Sequence, residues 1–149
     1  MGKLRKTLAM AAGSAALGTA AVLALPATAQ AASAAPCSAR AAACIDLSAN
    51  TSWLMANGVV TYGGVPITSG KPGFETPPGT FTVTYKDIDH WSQAYDAPMP
   101  YSVFFTTSGI AFHEGSLGDQ SHGCIHLSNA AAQTYYNNLQ PGDVVEVVP

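Results

Sequence analysis

Three of the chain's four histidines and one of its three cysteines fall within fourteen consecutive residues, His113-Glu114-Gly115-Ser116-Leu117-Gly118-Asp119-Gln120-Ser121-His122-Gly123-Cys124-Ile125-His126. A cysteine attacks as its thiolate, and a free thiol titrates near 8.5, so it needs a base or a positive charge beside it at neutral pH. A histidine supplies that, and later returns the proton to a leaving amine. His113 ends an expected strand, and Cys124 sits in a tight turn after Gly123, a residue that lets the backbone bend sharply. Amide N–H groups in such a turn face a developing oxyanion. The segment therefore reads as nucleophilic acyl chemistry, with Cys124 as nucleophile and a histidine of the same segment as base and acid.

Two other readings compete. A lone cysteine is more often a small buried hydrophobe, and a lone histidine is more often simply hydrogen-bonded in place. Their concentration in one Gly-rich loop weighs against that. A zinc site is the sharper rival, because His113, His122, Cys124 and His126 offer the N and S ligands zinc takes. His122, Cys124 and His126 are crowded at intervals of two, however, and no C-x-x-C pair accompanies them. The expectation is no metal and no organic cofactor.

The surrounding elements must hold His113 against Cys124. Residues 51–56 and 59–62 flank Asn57-Gly58, a strong hairpin signal. Gly63-Gly64 marks a second turn before a strand at 65–68. Residues 71–79, rich in Pro and Gly, form a loop. Residues 80–85 alternate Thr with apolar side chains, as a strand with one buried face does. Residues 90–98 read as irregular. Residues 101–106 and 110–112 read as strands around Ser108-Gly109. One helix follows: Ser128 caps it, Ala132, Tyr135, Tyr136 and Leu139 give it one buried stripe, and Pro141-Gly142 ends it. Residues 144–148 close the domain as a strand. The fold class is mostly β, a sandwich or partly open barrel with one helix at its side.

The N-terminus differs in kind. Lys3, Arg5 and Lys6 precede an apolar, Ala-rich run over 8–25, followed by the small-x-small patterns Ala27-Thr28-Ala29 and Ala32-Ser33-Ala34. This reads as a secretory signal over 1–32, cleaved near 29–35, rather than a retained anchor. Residues 33–42 then read as a linker and 43–149 as the working domain. Three of the six Lys and Arg lie in the signal, so three remain against nine Asp and Glu, a net charge of −6. An acidic domain with no basic stripe excludes nucleic acid as a partner. In an exported chain, Cys37 and Cys44 are spaced to close a small disulfide ring, which leaves Cys124 as the free thiol.

With these segments in order, the chain resembles the YkuD-type L,D-transpeptidases over about residues 45–148. Ser121-His122-Gly123-Cys124 with the upstream His113 is similar to the family's catalytic signature. Gly70-Lys71-Pro72-Gly73 and Thr76-Pro77-Pro78-Gly79-Thr80-Phe81 are similar to its Thr-Pro-x-Gly loop, and Gly142-Asp143-Val144-Val145 to its last strand. The resemblance implies that Cys124 forms a thioester with a peptidoglycan tetrapeptide stem, releasing D-alanine. An amine of a neighbouring stem then takes the acyl group. It also implies that His113 is base and acid, that Gly123 and Cys124 supply oxyanion-hole amides, and that Ser121 and His122 shape the site. The implied partners are peptidoglycan stem peptides in the cell wall, with no membrane anchor left after cleavage. His126 stands where many relatives have Arg or Asn, a position that contacts substrate; Tyr101, and Trp91 beside it, are expected along the groove. The 113–121 loop is shorter than in many relatives. A wall hydrolase discharging the same thioester to water, and a non-catalytic wall- or zinc-binding module, are the alternative functions.

Overall fold

The computed structural model describes residues 34–149. The stretch read as a signal therefore lies outside the described residues. Among the described residues, no helix is long and apolar enough to cross a membrane.

Among the described residues, nine strands and one helix follow in chain order. They are β1 (Ala43–Asp46), β2 (Thr51–Ala56), β3 (Val59–Pro66), β4 (Gly79–Thr82), β5 (Tyr85–Ser92), β6 (Ala97–Phe104), β7 (Ala111–Glu114), β8 (Ile125–Leu127), α1 (Asn129–Asn138) and β9 (Val144–Val148). They build two open sheets, β3-β2-β1-β9-β4 and β5-β6-β7-β8. Ile45, Leu54, Val103, Phe112, Ile125 and Val147 are all buried in one core, which Tyr135 and Leu139 of the helix end complete. The fold is mostly β with two sheets and one helix, and neither sheet closes into a barrel.

Several elements form where the sequence signals place them. Asn57 (φ 51°) and Gly58 (φ 79°) both take the left-handed conformation that a tight hairpin turn needs, between β2 and β3. Ser128 caps α1 by accepting the Ala131 N–H. The helix is tied to the first sheet by a buried hydroxyl chain, in which Tyr135 Oη–H donates to Ser52 Oγ (2.8 Å) and Ser52 Oγ–H donates to the Cys44 carbonyl (2.7 Å).

Others differ. Gly63-Gly64 is no turn: β3 runs on to Pro66, pairing Trp53 with Gly63 and Ser52 with Val65, so Gly64 is the extra residue of a bulge. The stretch 90–98 is ordered, because β5 and β6 form a long antiparallel hairpin through it. The linker expectation also meets a folded segment. Cys37 is bonded to Cys44, Ser38 N–H donates to Glu146 Oε2 (2.8 Å), and Ala42 N–H donates to the Val144 carbonyl (2.8 Å). Ala41 is buried with Trp53 and Met55. The small side chains that suggested a flexible tail let this segment lie close against β1 and β2.

The arrangement that matters for the site is β7 beside β8. These strands are parallel, with Phe112 opposite Ile125 and His113 opposite His126. Residues 115–124 carry the chain from the end of β7 back to the start of β8, and so arch over one face of the sheet.

Candidate active site

Cys124 is the residue just before β8, one step before the pair Phe112–Ile125. Extending that register sets it beside Ala111. Side chains alternate along a strand, so Cys124 and His113 share a face, their Cα atoms roughly 8 Å apart on the diagonal by strand rise and spacing. Both line one cavity of about 340 Å³. Ser92, Tyr95 and Met99 of the β5–β6 hairpin wall it on one side, and Ser116, Gln120, Ser121, His122 and His126 on the other. A cavity of about 730 Å³ between residues 39–42, β2 and the end of α1 holds neither a cysteine nor a histidine. The residues read as nucleophile and base therefore share the smaller one.

His113 is buried, and its Nδ1 lies 2.7 Å from the Glu114 carbonyl oxygen. A carbonyl only accepts, so Nδ1 carries the hydrogen and Nε2 keeps its lone pair. Burial pushes the His113 pKa down to about 4; the Glu114 carbonyl opposes this, and His126 and His90 add to it. Burial likewise pushes the Cys124 thiol up, while the Ala111 N–H pulls it down. The resting pair is thus a protonated thiol beside a neutral imidazole, a base waiting for a proton rather than a preformed ion pair. Glu114 orients His113 through its backbone. Its carboxylate turns the other way and accepts from Asn129 Nδ2 (2.8 Å).

The turn that presents Cys124 is braced from two sides. Ser121 Oγ–H donates to the Cys124 carbonyl, and Ser121 Oγ accepts the Gly123 N–H (3.0 Å). Thr76 Oγ1–H donates to the Gly123 carbonyl (2.7 Å) while Thr76 Oγ1 accepts the Gly70 N–H (3.0 Å). Gly123 has φ +121°, a conformation that L side chains rarely adopt. A Cβ on Gly70 would run into the Phe74 carbonyl oxygen. One expectation is corrected here: the Gly123 N–H is committed to Ser121 and does not point at an oxyanion. Among the described residues, the Cys124 N–H meets no protein acceptor.

The remaining expected residues divide. His122 stacks on Tyr95 (centroids 4.0 Å, 15°) and meets the edge of Phe74 (4.8 Å). His126 sits 4.9 Å from the His113 ring, with Nδ1 3.0 Å from the Ser116 carbonyl and 3.3 Å from that of Asp119. Its Nδ1–H therefore holds the arching loop, alongside the Thr68 hydroxyl, which donates to the same two carbonyls. With His122 in an aromatic stack and His126 turned onto carbonyls, the four residues of the competing zinc reading form no group that could hold a metal ion among the described residues. Tyr101 is a second correction. Its φ of +58° and its packing on Tyr136 (6.0 Å) set it against the helix, and it does not line the Cys124 cavity. Trp91 also lies outside the lining, its Nε1–H donating to Asp96 (3.3 Å).

The family model for the L,D-transpeptidase catalytic domain, YkuD, matches residues 40–147. The chain belongs to the YkuD family. L,D-transpeptidase 1 of Mycobacterium tuberculosis is 33% identical over 121 residues, which cover 68% of this chain and 48% of that relative. This chain therefore spans about half the length of that curated relative. Among solved structures, the L,D-transpeptidase of Stackebrandtia nassauensis superposes with a TM-score of 0.68 at 28% identity, covering 72% of this chain and 54% of that one. L,D-transpeptidase 3 of Mycobacterium tuberculosis, in complex with a faropenem-derived adduct, gives 0.65 at 26% identity, covering 70% and 58%.

In this YkuD domain, sequence reasoning missed Thr76, Tyr95 and Met99 as site residues. The Thr-Pro-x-Gly loop was visible as a motif, but the hydroxyl's target in another loop was not. Tyr95 and Met99 sit in and beside the turn of a hairpin whose polar, Pro-rich sequence concealed it.

Proposed function

We propose that this domain is an exported L,D-transpeptidase that takes an acyl group from a peptidoglycan tetrapeptide stem onto Cys124 and passes it to an amine. His113 Nε2 removes the thiol proton as sulfur attacks the carbonyl before the terminal D-alanine. The tetrahedral oxyanion faces the Cys124 N–H. His113 then hands the proton to the leaving D-alanine nitrogen, and the thioester remains. An acceptor amine attacks this thioester, loses a proton to His113, and leaves as the new amide while the thiol re-forms. Ser121 and Thr76 hold the turn, and His122 and His126 form the cavity wall.

The observation that carries this reading is the shared cavity of Cys124 and a His113 whose tautomer the Glu114 carbonyl sets with Nε2 unprotonated. Family membership supports the acyl-transfer class. The adduct in the M. tuberculosis relative fits a site open to acylating ligands. The Cys37–Cys44 disulfide supports export, since such bonds persist in oxidising compartments. The test is intact-mass spectrometry of the protein mixed with a tetrapeptide stem, beside Cys124→Ala. A transient adduct and free D-alanine, both absent in the variant, are expected. A folded protein with a free thiol that never forms the adduct sinks the reading. Decay of the adduct at the same rate with and without amine would assign a hydrolase instead.

A further inference from the structure

The cavity must admit a substrate that carries carboxylates, yet the domain around it is acidic. Residues 34–149 hold three Lys and Arg against nine Asp and Glu. Two of those cations are occupied. Lys86 Nζ donates to the Tyr136 carbonyl (2.7 Å) and the Leu139 carbonyl (2.9 Å), closing the end of α1. Arg40 lies close enough to Glu146 to draw its pKa down. Lys71 remains. Among the described residues the one ion pair is His90–Asp87, so no carboxylate neutralises Lys71.

Its position is fixed by the same turn that presents the nucleophile. The Lys71 N–H donates to the Ser121 carbonyl (3.0 Å), and the Phe74 N–H donates to the Lys71 carbonyl (2.8 Å). The ammonium lies over the Phe74 ring, 5.3 Å from its centroid. Phe74 meets His122, and His122 stacks on Tyr95, which lines the cavity. Cation, phenyl, imidazole and phenol thus form a continuous row that ends on His122 and Tyr95 in the cavity wall. The nearby acids have partners of their own. Glu75 accepts the Gly73 N–H (2.9 Å), Asp119 accepts from Ser116 Oγ (2.9 Å), and Glu114 accepts from Asn129. An exposed phenyl ring holds the ammonium in place without cancelling its charge.

We propose that Lys71 is the carboxylate-docking residue of this site, receiving a carboxylate of the donor stem as its scissile carbonyl enters beside Cys124. This rests on the transpeptidase reading for the identity of the substrate, but not for the docking of an anion.

Two measurements on the full chain separate the two claims. The first follows Cys124 alkylation by iodoacetate and by iodoacetamide, which differ in charge and little in size. The iodoacetate-to-iodoacetamide rate ratio is expected to fall about three- to fivefold in Lys71→Met and to recover in Lys71→Arg, in the range of an exposed ion pair. The second follows acylation by a tetrapeptide stem. Lys71→Met should raise the half-saturating donor concentration about three- to tenfold, and the salt dependence seen in the parent should shrink with it. A thermal melt of Lys71→Met within about 2 °C of the parent shows that the fold is kept. An unchanged alkylation ratio, or an effect confined to the amine-transfer step, overturns the proposal. A shifted ratio in a protein that no stem acylates would leave the anion-docking role standing and remove the transpeptidase reading.

Discussion

Thr76→Val tests whether the turn around Cys124 is held by hydroxyl chemistry or by packing alone. Thr76 is 2% exposed, and Val reproduces its shape. The substitution removes the donor to the Gly123 carbonyl and the acceptor of the Gly70 N–H. Each group left unpaired costs about 1–3 kcal/mol, so the expected loss for the two is roughly 2–6 kcal/mol. For a domain of this size that lowers Tm by roughly 10–20 °C. The chemistry should suffer too, because the Gly123 carbonyl and the Cys124 N–H belong to one peptide plane. Tilting that plane misaims the amide facing the oxyanion, and losing such a donor entirely costs about 10²–10³ in rate. Acylation at a temperature where both proteins are folded should therefore fall at least about tenfold. Thr76→Ser keeps both hydrogen bonds and should stay within about 1 kcal/mol of the parent, with acylation within about threefold. Thermal melts and single-turnover acylation by intact mass read both effects. A Thr76→Val protein that melts within 2 °C of the parent and acylates normally would refute the account of the turn.

His113→Gln should abolish acylation, and it should also flatten the acid dependence of stability. Above pH 6.5 neither the folded nor the unfolded state protonates His113; as pH falls from 6.5 toward 4 the unfolded chain takes the proton and the folded one does not. Stability therefore drops through that window, by about 3 kcal/mol once pH is below 4. Melts of parent and variant at pH 7.5 and 4.5 should show a smaller fall in the variant, and equal falls would contradict the burial of a neutral ring. Opening the Cys37–Cys44 ring with Cys37→Ala and Cys44→Ala together should cost about 2–3 kcal/mol by loop entropy, read by urea denaturation, with Cys124 alkylation retained. Tyr135→Phe should cost about 0.5–1.5 kcal/mol through the lost bond to Ser52, and a neutral result would mean that this buried chain adds no net stability.

The legible parts of the sequence were those where one residue type has one local use. Asn57-Gly58 forces a turn, Ser128 caps a helix, and Gly123 at φ +121° makes the tight turn before Cys124. What escaped depended on partners far along the chain. The β5–β6 hairpin carries Asp87, Asp89, Pro98 and Pro100, which argue against a strand. Only Val103 and Phe104 of β6 pair with β7, so both prolines lie where β6 has no second neighbour to receive an N–H. β1 escaped because Ala-Cys-Ile-Asp is short and carries no alternation, yet it is the central strand of its sheet. Gly63-Gly64 misled because the paired glycines that signal a turn also fit a bulge. The orienting role of Glu114 was invisible because the carbonyl performs it, and every residue has a carbonyl.

β8 is three residues long and lies at the margin of its sheet, so the strand that follows Cys124 has an outer row of backbone groups. Thr68 occupies it: the Thr68 N–H donates to the His126 carbonyl and the His126 N–H donates back to Thr68. An unguarded edge invites another chain to add as a strand, which here would occlude the thiol. Approach to Cys124 is thereby left to the open face of the sheet, so under the proposed function a stem peptide is met by side chains and by one free amide rather than by a vacant strand.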